Sequence, residues 1–343
     1  MKPGIATLSK AELKDWLALA GQPRFRTGQI EEWLYHKWVA DFADMPNVPN
    51  ALRTALAESF RCTTVEVVDE HTAPDGTAKY LLKLHDGNAI ETVLIPAPGR
   101  TTACISTQVG CPVRCAFCAS GRPGLVRNLD AAEIVDQVRF ACHALGQRVD
   151  NVVVMGIGEP LLNLDALIPA LETACDPERM NLGARRITVS TSGIVPGIRR
   201  LAHAGHPWNL ALSLHAPRDR ARAELIPPQY RYPLREILAA CRAYQKVTNR
   251  MVTLEYALMG GVNDSLGDAK DLANIAKGLP AKVNLIPHNP SGSGHKPPPT
   301  DTVHAFLALL TESGVHATIR REKGAAVNAA CGQLRANAAG MPA

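Results

Sequence analysis

No run of roughly eighteen consecutive apolar residues occurs in the sequence, so nothing in it reads as a membrane-spanning helix. The start, MKPGIATLSKAELKDWLALAG, lacks the apolar core of a secretory signal. Cysteines are odd in number, nine in 343 residues, and without an export signal they do not suggest a disulfide framework. A reducing cytoplasm is the expected setting. A GxGxxG fingerprint is missing after every candidate strand, which leaves a dinucleotide-binding doubly wound sheet with little support. What remains, 46% hydrophobic and 20% charged, is an ordinary globular composition in a chain long enough for one large domain with an appendage, or for two domains.

The net charge of +5 is unevenly spread. Between Arg185 and Arg250 stand 12 Lys and Arg against 3 Asp and Glu, which leaves the remainder of the chain net acidic. A solvated helix surface accounts for part of this excess. So many arginines in one stretch also fit a face that contacts nucleic-acid phosphates.

The chemistry concentrates between Ala103 and Asn128, in ACISTQVGCPVRCAFCASGRPGLVRN. Cys111, Cys115 and Cys118 form a C-x-x-x-C-x-x-C pattern, with Phe117 just before the last cysteine. Thiolates this dense converge on a metal centre, yet a closed zinc or [4Fe-4S] site takes four protein ligands and no second cysteine pair lies nearby. One iron of a [4Fe-4S] cluster would be left open to chelate the amino and carboxylate groups of S-adenosylmethionine, the arrangement of radical SAM enzymes. Gly110, Pro112 and Gly121 suit a backbone wrapped around such a cluster. A structural zinc site completed by one of the 11 histidines is the competing reading, and unliganded core cysteines a weaker one.

Residues 1–61 read as a module of three short helices. Ser9 and Glu12 look like a capping box for a helix over 11–20, Thr27 begins a second helix, and Asn50 caps a third over 51–60. This module is either a stabilising cap or an RNA-docking accessory. Residues 62–98 read as a β-hairpin extension with turns at Asp75-Gly76 and Asp86-Gly87. Glu91 sits in its last strand, where a carboxylate ordinarily faces solvent. From 99 to 325, short apolar strands alternate with helices in about six βα units, beginning with a strand over 103–106 and a helix over 131–145. The expected fold is α/β, a partial (β/α)6 barrel with functional groups at the strands' C-terminal ends. A tail over 326–343 carries Cys331 between Ala330 and Gly332.

Each predicted strand end carries small or polar groups: the cysteine loop, then residues 156–160, 190–193, 213–215 and 287–290. Glycines there would admit a backbone carbonyl to a methionine ammonium, and Ser and Asn would bind ribose and carboxylate. Taken singly, each is more often an ordinary loop. Cys331 has small neighbours that leave a thiol accessible, although a buried structural thiol is the plainer reading. Cys62, Cys142, Cys175 and Cys241 read as core or surface residues.

With these residues in view, the chain resembles the RlmN/Cfr family of radical SAM adenosine methyltransferases over nearly its whole length. The matching segments include FRTGQIEEWLYHK, GTAKYLLKLHDGNAIETVLIP, the cysteine loop, MGIGEPLLN, ITVSTSGIVPGI, NLALSLHAP, EYALMGGVNDS, VNLIPHNP and AACGQL. Most specific is Cys104, seven residues before the first cluster ligand, in combination with Cys331.

The resemblance implies that Cys111, Cys115 and Cys118 ligate one [4Fe-4S] cluster and that Gly158, Glu159, Ser190, Ser213, Leu214, His215 and Asn289 line the S-adenosylmethionine site. It implies that Cys331 is methylated by one S-adenosylmethionine and that a radical from a second takes a hydrogen from the S-methyl group. The amidine carbon of adenine is electrophilic and cannot attack that methyl donor directly; a carbon radical borne on Cys331 can add to it. Cys104 would then resolve the protein–RNA adduct through a transient disulfide, with Glu91 as proton acceptor. The implied activity is methylation at adenine C2 in 23S rRNA, with tRNA as a further substrate. C8 methylation is the near alternative, and a non-catalytic metal-containing RNA-binding protein a distant one. An electron donor such as flavodoxin or ferredoxin and a monomeric state without membrane contact are also implied. The chain departs from the family pattern at Pro228, Gln229, Ala326 and Val327, which bears on substrate contacts and not on the cluster or cofactor residues.

Overall fold

The computed structural model describes residues 2–289, 291–320 and 323–334. Pro290 and the part of the expected tail after residue 334 lie outside the described residues. Helices α1 (Lys10–Leu19), α2 (Arg26–Glu31) and α3 (Asn50–Ser59) build the N-terminal module. The capping box at α1 is present: the Ser9 hydroxyl accepts from the Glu12 N–H at 3.2 Å and the Glu12 carboxylate from the Ser9 N–H at 2.7 Å. The expectation at α3 needs correction. Asn50 is its first helical residue, and Pro49, with φ −53° and ψ 142°, takes the N-cap position. The Pro49 carbonyl accepts from the Leu52 and Arg53 N–H groups, so no side-chain cap is needed to start the turn.

Strands β1 (Val65–Thr72), β2 (Ala78–Leu84), β3 (Ala89–Ala97) and β4 (Arg100–Cys104) follow as an antiparallel meander. A two-stranded ribbon, β5 (Gln108–Gly110) and β6 (Leu125–Asn128), brackets the cysteine loop. Then come α4 (Ala131–Leu145), β7 (Asn151–Val154), α5 (Leu164–Cys175), β8 (Ile187–Thr191), α6 (Val195–Ala202) and β9 (Asn209–Ser213). After them run α7 (Asp219–Leu225), α8 (Leu234–Thr248), β10 (Val252–Leu258), α9 (Leu266–Gly278), β11 (Ala281–Pro287), α10 (Thr300–Glu312) and β12 (Ala317–Ile319).

All but the ribbon form one sheet of ten strands in the order β1-β2-β3-β4-β7-β8-β9-β10-β11-β12, parallel from β4 onward. Six βα units are present, and β12 closes the series as a further parallel strand. The hairpin extension is therefore continuous with the barrel sheet. Central strands are apolar on both faces, as burial under helices demands: Val189, Leu210, Leu212, Leu254, Val283 and Leu285 are all inaccessible to solvent.

The N-terminal module is welded to the barrel by buried charge. Arg139 on α4 donates to the carbonyls of Leu34, Val39 and Cys62 at 2.9, 2.7 and 2.9 Å, and to Asp136 at 2.5 Å. Asp136 in turn accepts from the Thr64 N–H and hydroxyl at 2.7 and 2.8 Å. Glu31 of α2 pairs with Arg179 beyond α5 at 3.0 Å, and both are buried. Removing one member of such a set strands its partners without water. Arg139→Met should therefore cost roughly 3–5 kcal/mol of stability and open the link between α3 and β1 to proteolysis. Urea denaturation and limited proteolysis check this; an unchanged midpoint would show that the weld contributes nothing.

Candidate active site

The ribbon β5–β6 aims the cysteine loop into the barrel mouth. At Gly110, φ +73°, an added Cβ would stand 1.9 Å from the Gly124 carbonyl oxygen, so only glycine lets the loop close on itself. Arg127 of β6 is clamped by Glu133 of α4 through two hydrogen bonds of 2.7 and 2.8 Å, and Glu133 also completes a capping box with Asp130. Gln108 ties the ribbon to the next loop: its amide donates to Asn128 and its carbonyl accepts from the Glu159 N–H, both at 2.8 Å. Gly158, φ +114°, is needed at that contact, since a Cβ would meet the Gln108 side chain at 2.8 Å. The glycine thus also serves packing against the ribbon.

Two cavities meet at the mouth. The inner one, about 160 Å³, is lined by Cys111, Cys115 and Cys118 at one end and by the C-terminal ends of β7 to β11. The outer one, about 320 Å³, has Cys104, Ile95, Ile319 and Lys323 in its walls. Cys331 lines both. Its segment is docked on the cysteine loop, where the Ala119 N–H donates to the Gly332 carbonyl and the Ser120 hydroxyl to the Leu334 carbonyl, each at 2.8 Å. All nine cysteines are free thiols, so no Cys104–Cys331 disulfide is present. Burial pushes the Cys104 thiol up to about 12, and the nearby Cys331 sulfur adds to the shift.

Cys104 is held in register by a buried network. Gln137 of α4 accepts from the Ser106 N–H at 2.7 Å and donates to the Ser106 carbonyl at 3.0 Å, while the Ser106 hydroxyl donates to the Glu91 carbonyl at 2.7 Å. Glu91 is buried, contrary to the ordinary expectation for an edge carboxylate, and pairs with Lys79 at 3.0 Å. It lies two residues from Val93, the cross-strand partner of Cys104, so the pleat puts Glu91 on the face where Val93 and Cys104 pack together. Its side chain is not among those lining either cavity.

Gly158, Glu159, Ser190, Ser213, His215 and Asn289 all line the inner cavity. The Glu159 carboxylate is already engaged, accepting from the N–H groups of Leu161 at 3.2 Å and Ser192 at 2.8 Å. Leu214 has its side chain wholly within the main core. His215 adopts a left-handed backbone, φ +55°, which is uncommon outside glycine. Its Nδ1 accepts from the Ala257 N–H at 3.0 Å, and its carbonyl accepts from Asn263 at 2.6 Å. Asn263 also donates to the Ala257 carbonyl and accepts from the Met259 N–H, both at 2.7 Å, so one buried amide locks the ends of β9 and β10 together.

Sequence reasoning missed Asn263, Arg320, Glu255 and Arg222. Arg320 lines both cavities, and the Cys331 sulfur beside it holds its guanidinium above the ordinary value. Glu255 faces the inner cavity with its acid form favoured by burial. Charged residues on predicted apolar strands, Glu255 above all, were the available signal. Part of the basic excess is taken up within the chain: Arg222 is fully buried, and the exposed Arg218 and Arg200 pair with Asp268 and Asp165.

Comparison with known proteins fits this architecture. Residues 105–273 match the Radical SAM superfamily, and residues 5–62 match the family described as "Ribosomal RNA large subunit methyltransferase N-terminal domain". The protein named "Probable dual-specificity RNA methyltransferase RlmN" of Geobacillus kaustophilus is 49% identical over 338 residues, 97% of this chain and 93% of that one. The chain belongs to the RlmN family. Its counterpart of the same name in Staphylococcus haemolyticus is 46% identical over 98% of this chain and 93% of its own length. A crystal structure of a radical SAM methyltransferase from Sphaerobacter thermophilus superposes with a TM-score of 0.95 at 45% identity, covering 98% of this chain and all of that one. No helix among the described residues is long and apolar enough to cross a membrane.

RlmN proteins are radical SAM enzymes that use a [4Fe-4S] cluster and S-adenosylmethionine, and the inner cavity has the donors for both. Burial, with the Cys118 and Cys111 sulfurs close by, pushes the Cys115 thiol well above its ordinary value. Thiolates crowded in this way would repel one another, and a metal centre that takes up their negative charge stabilises them. Among the described residues no three such groups stand close enough to grip a single ion, whereas cubane ligands spread wider because each binds a different iron.

His215 titrates in a way that acid stability should reveal. Burial, then Arg222 and His288, pushes it down to about 3. Between its ordinary value near 6.5 and about 3, the unfolded chain binds a proton that the fold refuses, so stability falls as pH drops through that window. The slope should be on the order of 1.4 kcal/mol per pH unit. His215→Asn, which can accept the same N–H and cannot be protonated, should flatten this limb in denaturation curves from pH 6.5 to 4. An identical slope in both proteins would contradict it.

Proposed function

We propose that this chain methylates adenosine at C2 in 23S rRNA, and in tRNA as a second substrate, with Cys331 as the methyl carrier. The observation that supports this best is the place of Cys331 in the wall between the two cavities, with cluster cysteines on one side and Cys104 on the other. In this reading Cys111, Cys115 and Cys118 hold the cluster, while Gly158, Glu159, Ser190, Ser213, Leu214, His215 and Asn289 form the S-adenosylmethionine site. Bound together, these cofactors supply a methyl group and, after one-electron reduction by a flavodoxin- or ferredoxin-like donor, a hydrogen-abstracting 5′-deoxyadenosyl radical.

The chain's own residues do the rest. The Cys331 sulfur loses its proton and takes the methyl group. After hydrogen loss the resulting methylene adds to C2 of an adenine admitted to the outer cavity, whose apolar walls include Ile95, Ile286 and Ile319. Glu91, with Lys79 as its counter-ion, receives the C2 proton, and the adduct's unpaired electron would pass back to the cluster held by the three loop cysteines, leaving a closed-shell adduct. The Cys104 sulfur then attacks the Cys331 sulfur, a disulfide forms, and the S–C bond breaks as the released carbon takes a proton. Arg320 stands where it would steady the Cys331 sulfur as charge changes there.

Cys331→Ala should yield no 2-methyladenosine, and Cys104→Ala should retain methyl transfer to Cys331 while accumulating a covalent protein–RNA adduct. Nucleoside mass spectrometry of rRNA and tRNA, with gel analysis of the adduct, tests both. Product from the Cys331 variant would end this reading, and 8-methyladenosine would move the activity to the other adenine carbon.

A further inference from the structure

Arg222 is a fully buried arginine at the start of the chain's path over the cluster loop. Its helix, α7, packs directly on that loop: the Ala116 N–H donates to the Leu225 carbonyl at 3.0 Å, and Leu225 and Ile226 share an apolar cluster with Val113, Cys111, Cys115 and Phe117. The guanidinium makes one hydrogen bond, to the Ser192 carbonyl. Its Nε and its other terminal nitrogen have no partner. Among the described residues no carboxylate forms an ion pair with it.

The charges around it are four. Cys115 exerts the strongest pull, followed by Asp219; Arg231 opposes, and Glu159 attracts weakly. Asp219 is occupied by the Leu234 N–H at 2.8 Å. Glu159 is separated from Arg222 by the Ser192 backbone, whose N–H serves the carboxylate and whose carbonyl serves the guanidinium. A buried cation left this way costs several kcal/mol unless an anion answers it. The remaining candidate for that anion is the sulfur of Cys115 and whatever it ligates.

We infer that Arg222 sets the reduction potential of the iron–sulfur centre by placing a permanent positive charge and two unpartnered N–H-bearing nitrogens behind Cys115. The inference rests on the reading that Cys111, Cys115 and Cys118 hold the cluster. One-electron reduction adds one negative charge to a cluster–thiolate unit that is already anionic. A fixed cation nearby stabilises the reduced form more than the oxidised one, and N–H groups aimed at sulfur act in the same sense. Arg222 touches neither S-adenosylmethionine nor RNA in this scheme; it acts through the cluster.

The test is a mediated dithionite titration of the anaerobically reconstituted full chain, followed by electron paramagnetic resonance, for the wild type, R222M and R222K. R222M should lower the reduced-to-oxidised ratio at a fixed potential by roughly tenfold, a shift of about 59 mV to more negative values for one electron. R222K, which keeps the charge, should recover most of it. R222Q replaces R222M if the latter does not take up its full iron. Equal potentials in all proteins would overturn the inference, as would equal shifts in R222K and R222M, because the effect would then come from packing at Ser192. A wild-type chain that binds no cluster through its three cysteines would instead overturn the reading beneath it.

Discussion

The docking of the chain end on the cysteine loop is the interaction on which the site depends. Two hydrogen bonds, from Ala119 and Ser120 to the carbonyls of Gly332 and Leu334, bring together positions more than 200 residues apart in sequence. Without them Cys331 has no fixed relation to the cluster ligands, and the two cavities have no common wall. The loop they rest on is itself held by distant parts: Glu133 through Arg127, and Ser291, whose hydroxyl donates to the Phe117 carbonyl at 2.7 Å. Each of these bonds runs to a backbone carbonyl or a rigid fork, which fixes position more tightly than a pair of flexible side chains would.

A second theme is buried charge placed so that backbone dipoles answer it. Glu159 is met by two N–H groups, Arg139 by three carbonyls, and Asp136 by Thr64. These arrangements satisfy buried charge in a low-dielectric interior, at the mouth for Glu159 and at the module junction for Arg139 and Asp136. His215 is kept neutral by its burial and by Arg222 and His288, and its left-handed backbone is tolerated because Asn263 and the Ala257 N–H determine it from both sides.

Much of this could be read from residues alone. Alternation of short apolar runs with helical stretches gave six βα units because a doubly covered sheet leaves no freedom in that pattern. The three loop cysteines were legible because metal chemistry dictates ligand type and number. Asn50 misled because an N-cap residue and a first-turn residue look alike after a proline. Glu91 looked like solvent-facing pleat, since nothing local announces that it is buried and paired with Lys79 of the neighbouring strand. Arg222 was counted with a basic surface, and only the packing of α7 against the loop shows that it is inside. Asn263 was missed because its reach to the His215 carbonyl beyond β9 leaves no trace in a single sequence, and Glu255, visible as a charge in an apolar strand, because its partner Asn284 lies on β11.

The weld at Arg139 and Arg179 has a geometric consequence. Because α2 and the segment that follows it are bonded to α4 and to the segment after α5, they cannot swing independently of the barrel. Any molecule that touches the N-terminal module and the barrel mouth at once must span a set length. The outer face of the module and the sulfur of Cys331 are thus held at one spacing, like the two jaws of a caliper that has been set.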